Sequence, residues 1–171
     1  MKAYSTSVPR ALLGILTGVL TGAVLVTMWS FVGMARLDDY WLRHAFSIFT
    51  YAAIVWTAGL TLVAVIPWAL LHRCGLRGWP IAIILGLVLT FLVVFGFLTN
   101  GFGTIASESG FSAVDSGGPT WIDGRRTPHG WFEAFQFSAI CAVVGAAVGL
   151  AVWRVAYRRE AVARSDPRPD A

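Results

Sequence analysis

Charge is what this sequence has least of. Only 13% of its 171 residues are charged, while 57% are hydrophobic. A soluble domain of this size carries about a quarter charged residues. No Asp, Glu, Lys or Arg interrupts the apolar runs Ala11–Ala35, Ala45–Leu71 and Trp79–Leu98. Ion-coupled transporters and proton pumps mark their paths with membrane-embedded charges, so these runs offer no such path.

Cysteine is also scarce. Cys74 falls in a short connection and Cys141 midway along a fourth run, Trp131–Trp153. They belong at different depths, too far apart to bridge, and without a CxxC pair a thiol–disulfide redox role has no support. Of the three histidines, His44, His72 and His129, none lies inside a run. Metal and haem sites need several convergent ligands, so no cofactor is expected. A phosphate-binding glycine loop, a nucleophile elbow and a paired-carboxylate motif are all missing as well.

What remains is four apolar runs of about 20 residues or more, each enough to cross a hydrocarbon core of about 30 Å. Backbone amides in lipid must be satisfied within their own segment, so the runs are read as helices. The expected fold is all-α: one polytopic domain over residues 1–171, a four-helix transmembrane bundle with helices at about 11–35, 45–71, 79–98 and 131–153. A cleaved signal peptide is disfavoured, since its apolar core would span about 7–15 residues and the first run is far longer. Pro67, near the end of the second run, is placed where a kink is tolerable.

Lysine and arginine set the threading. Lys2, Arg10, Arg73, Arg77, Arg154, Arg158, Arg159, Arg164 and Arg168 fall on one side, and Arg36, Arg43, Arg125 and Arg126 on the other. Both termini are therefore expected in the cytoplasm, with the 100–130 loop outside. Run length and an Ala/Gly/Arg/Trp-rich composition point to a bacterial cytoplasmic (inner) membrane. The net charge of +4 follows from this topology and needs no nucleic-acid partner. Trp68, Trp79, Trp153 and Tyr157 form the inner aromatic belt, and Tyr40, Trp41, Trp121 and Trp131 the outer one. Trp56 lies mid-span, where it is read as a packing residue. The basic tail 154–171 is expected to continue the last helix for about two turns and then fray. Its cations are read as enforcing orientation rather than gripping anionic lipid.

Small residues suggest which helices touch. Gly14, Gly18 and Gly22 recur every fourth position in helix 1, although each costs about 1 kcal/mol of helix propensity. Helices in lipid associate through close approach at such positions. Helix 4 carries Ser138, Ala142, Gly145, Ala146 and Gly149 on one stripe, at overlapping depth. The expectation is an antiparallel helix 1–helix 4 contact in which the two grooves face each other. The competing arrangement turns the helix 1 groove outward to a second copy or another membrane protein.

The long outer loop carries the polar candidates Asp123, Arg125, Arg126, His129, Glu133 and Gln136. Asp123-Gly124 signals a two-residue hairpin turn. Thr127-Pro128 reads as a helix cap and first helical position. A structural role is favoured for this cluster over a metal pair or proton relay. The expected function is that of a non-catalytic membrane subunit, scaffold or accessory partner. The alternative is a small transporter, channel or membrane enzyme with its site beneath the outer loop.

Overall fold

A computed structural model describes residues 4–5, 7–32, 41–76, 78–105, 110, 112–115 and 117–159. The positions of Lys2, Arg36, Tyr40, Arg77, Arg164 and Arg168 lie outside the described residues. The chain is mostly helical, with four helices long and apolar enough to cross a membrane.

The first span is α1, Val8–Phe31, opened by Pro9 in its first turn. Proline suits that position because its missing N–H would have no helical partner there. The second span runs unbroken from Trp41 to Arg73, longer than the expected 45–71. It comprises α2 (Trp41–Ala58), a π-helical segment (Gly59–Ala64) and α3 (Val65–Arg73). The wide turn lies just ahead of Pro67. A proline cannot donate to the carbonyl four residues back, here that of Val63, and i→i+5 pairing over the preceding turn absorbs the mismatch. The third span, α4 (Trp79–Leu98), has the bounds the sequence predicts. The fourth, α5 (Pro128–Ala156), exceeds the expected 131–153 at both ends.

The fourth span is central, packing against both α4 and α1, while α1 in turn packs against α2. Its two neighbours use different stripes. Gly145 and Gly149 press on the third span: a methyl on Gly145 would collide with the Gly86 carbonyl and the Thr90 side chain, and one on Gly149 with the Ala82 carbonyl. Helix 1 meets the adjacent stripe. A Cβ on Gly14 would stand 3.1 Å from that of Ala156, and one on Gly18 would stand 2.6 Å from Val152 Cγ2 and 3.3 Å from Val148 Cγ1.

Helices 1 and 4 therefore do run antiparallel in contact, but the expected facing of their two grooves is corrected. The Ala82–Gly86–Thr90 row of α4 supplies a second small-residue surface, and the glycines of α5 go there, where backbones approach most closely. Gly14 lets the α5 backbone approach, a Cβ there standing 3.1 Å from the Val152 carbonyl oxygen, while Gly18 and Gly22 act as sockets for branched and aromatic side chains. Gly18 also receives Leu60, its Cδ1 3.0 Å from a Cβ built there, and Gly22 receives the Trp56 indole. Ser138 and Ala142 lie on the buried side of α5.

Six hydroxyls inside the long helices are satisfied locally. Thr17, Thr27, Ser30, Thr50, Thr57 and Ser138 each donate to the carbonyl four residues earlier, at 2.6 to 2.9 Å. Such back-bonding removes the cost of placing a hydroxyl in an apolar setting.

Both chain ends meet at one end of the bundle. Tyr4–Ser5 (β1) pairs antiparallel with Arg158–Arg159 (β5). The expected two-turn helical extension of the tail is thereby corrected: α5 stops at Ala156, and Tyr157 is extended at φ −112°, ψ 133°. Residues 160–171 lie outside the described residues.

Candidate functional site

At the opposite end, the long loop forms a structured cap. Its first part is a left-handed turn directly after α4. Asn100, Gly101, Phe102 and Gly103 have φ values of 49°, 67°, 59° and 78°. Glycine enters this region freely, but an aromatic residue does so only at a cost and when its surroundings hold it. The Phe102 ring packs on Phe95, centroids 5.9 Å apart, and on the open face of Gly96, where a Cβ would stand 3.0 Å away. Its backbone N–H donates to Thr99 Oγ1 at 3.1 Å. Phe95 is the hub of a wider ring cluster, with Trp131 at 5.8 Å and Phe135 at 6.5 Å.

The second part is a three-stranded antiparallel sheet of β2 (Ala113–Asp115), β3 (Gly118–Ile122) and β4 (Arg125–Arg126). Asp123 and Gly124, at φ 49° and 74°, connect β3 to β4 with Ile122 opposite Arg125. Positive φ at both central residues matches the right-handed twist of the strands, which is the hairpin Asp-Gly predicts. Beyond β4, Thr127 Oγ1 accepts from the Gly130 N–H at 3.1 Å. That is the helix cap read from Thr127-Pro128, and it satisfies one of the free donors of the first turn.

The six candidate residues do not converge. Asp123 sits exposed at the hairpin tip, where its N–H donates to Ser112 Oγ at 3.3 Å. Arg125 is exposed on β4, and Glu133 and Gln136 are exposed along α5. His129, Glu133 and Gln136 fall on one helical stripe by spacing, opposite the buried Gly130, Ala134 and Ser138. His129 is half-buried in the first turn, beside Gly118 of β3. Among the described residues, no group of three or more His, Cys, Asp or Glu could hold a metal ion.

Arg126 turns inward as a structural fastener. Its guanidinium donates to the carbonyl of Leu98, the last residue of α4. Carbonyls at a helix C-terminus lack helical partners and carry the negative end of the dipole, so a cation there caps the third span. The same guanidinium lies over the Trp121 ring, 5.0 Å from its centroid, while its buried Nε has no partner. Burial pulls the Arg126 pKa below the ordinary arginine value. One residue thus ties the hairpin, the end of α4 and, through neighbouring Thr127, the start of α5.

Sequence reasoning missed two associations. One is Arg126 with Leu98, whose only hint is an arginine just before a helix cap. The other lies at the end where the termini meet: His72 Nδ1 is 3.0 Å from the Tyr157 hydroxyl, with Trp68 5.7 Å from the His72 ring and Trp153 6.4 Å from that of Tyr157. Trp68, Trp153 and Tyr157 of the inner belt thus pack with His72 in one cluster joining the second and fourth spans. Cys74 and Cys141 are both free thiols. No family model, curated protein or solved structure matches this chain.

Proposed function

We propose that this chain is a non-catalytic accessory subunit or scaffold of a bacterial cytoplasmic membrane, with both termini in the cytoplasm and the capped loop outside. One observation carries the reading. The polar side chains best suited to chemistry are dispersed over the cap, and Arg126, directed inward, is spent on holding the fold together. The excess of lysine and arginine on the side of the termini supports the orientation. The exposed apolar surface of the second span, including Phe46, Tyr51, Ile54 and Leu62, suits lipid or a neighbouring helix.

A partner would not use the helix 1 glycines, which are covered by Trp56, Leu60, Val148, Val152 and Ala156 of the same chain. One surface open to it is a broad groove of about 550 Å³ along α2, lined by Phe46, Phe49, Thr50, Ala53, Ile54 and Thr57.

Glu133→Gln tests the proposal, read as protein yield and as complementation of cells lacking the native chain. Unchanged complementation at unchanged yield is expected. Normal yield with lost complementation would overturn the reading in favour of a transporter, channel or membrane enzyme acting through the outer face.

A further inference from the structure

The end where the chain termini meet combines two features that separately mean little. The first is an apolar cleft between three spans, lined by Trp68, Leu71, Ile81, Leu85, Trp153 and Tyr157, with about 20 Å³ of free volume. That is roughly the room for one water, far below the 300–1,000 Å³ of a typical small-molecule site. A soluble metabolite does not fit inside it, but a chain lying along the bundle surface can rest in it.

The second feature is cationic. Arg73 directly follows His72, which bonds Tyr157 at the rim of the cleft, and Arg154 lies one helical turn before Tyr157. Both arginines are exposed. Beyond Tyr157 the backbone is extended and pairs with Tyr4–Ser5 instead of running on as a helix. No Asp or Glu occurs here among the described residues.

We propose that, beyond the orienting role read from the tail's cations, this end binds an anionic phospholipid, its phosphate between Arg73 and Arg154 and an acyl chain along the cleft. Basic pockets between spans on the cytoplasmic side recognise such headgroups, and the Trp and Tyr rings sit where an amphipathic ring favours the headgroup level. The inference rests on the membrane reading above, but not on the presence of a protein partner.

The test is native mass spectrometry of the purified full chain in detergent, titrated with phosphatidylglycerol or with phosphatidylcholine of the same acyl chains. The wild type is expected to retain phosphatidylglycerol several-fold better. One cation near an anionic headgroup is worth roughly a fivefold change in affinity. Arg154→Gln should therefore lower the preference about fivefold, and Arg73→Gln with Arg154→Gln more than tenfold. Arg43→Gln, an exposed arginine at the opposite end, should leave it unchanged, and the Arg73→Lys, Arg154→Lys pair should keep most of it. Equal retention of the two lipids would overturn the proposal, as would an equal loss in Arg43→Gln. Competition by soluble glycerol phosphate as effective as the lipid itself would assign the arginines to a free phosphate and overturn it too. Because the purified chain is measured, loss of lipid preference leaves the accessory role standing, and failure of that role leaves the lipid result standing.

Discussion

Gly22 of the first span and Trp56 of the second fill one site between them. A Cβ on Gly22 would stand 2.5 Å from both Cε2 and Nε1 of the indole. The helix gives up a side chain midway along its length so that a large ring can seat against its backbone, and close packing does the holding.

Gly22→Ala should therefore destabilise the bundle by about 1–3 kcal/mol, the usual cost of overpacking a filled site, seen as a lower melting temperature in detergent. Trp56→Phe in the same chain should recover part of the loss by shrinking the ring. Gly59→Ala is the contrast, because nothing lies within 4 Å of a Cβ built there. It should be neutral or stabilising by up to about 1 kcal/mol.

The two stripes of α5 predict a cross-linking pattern. In a chain whose own thiols are replaced, Gly18→Cys with Val152→Cys should form an intrachain disulfide on mild oxidation. Gly18→Cys with Gly145→Cys should not, since Gly145 faces Gly86 and Thr90. The reverse pattern on a denaturing gel would restore the groove-to-groove arrangement.

Arg126 holds three parts of the cap at once. Arg126→Lys keeps the charge but loses the planar guanidinium that covers Trp121 and reaches Leu98. A cost of about 1–3 kcal/mol follows from a lost charged hydrogen bond and a stranded carbonyl. Hydrogen exchange should show the amides of Thr127 and Gly130 exchanging faster while those of 134–150 stay protected. Uniform loosening of α5 would contradict this local role.

The proposed orientation is readable through Cys74, an exposed thiol close to the end where the termini meet. A membrane-impermeant maleimide should label it in inside-out vesicles and not in intact cells. Labelling of intact cells would invert the topology.

Much of this was legible from the residues. Three charge-free apolar runs and a fourth interrupted only by Glu133 marked the four long helices, because runs of that length and composition need little else to be read as helices. Asp123-Gly124 and Thr127-Pro128 were readable because each turn or cap demands particular backbone angles. The partner of a small-residue stripe was not. Gly145 and Gly149 show that something approaches, but Trp79–Leu98 is apolar on every face, so the row Ala82–Gly86–Thr90 does not stand out from it. The left-handed turn at 100–103 was equally hidden, because Phe102 adopts that conformation through contacts with Phe95 and Gly96, distant from any local propensity. The six polar candidates share the capped end of the bundle, yet only distances could show that Arg126 reaches Leu98 and that the six do not gather.

The proposed role, a non-catalytic partner to another membrane protein, is open to one direct measurement. Native mass spectrometry of the protein extracted from its own membrane in mild detergent, with an absorption spectrum of the same sample, tests it most directly. A colourless particle containing this chain and a second protein in fixed stoichiometry is the predicted result. A bare chain or homo-oligomer of it, with or without a chromophore, would contradict the claim and turn attention to transport or catalysis beneath the cap.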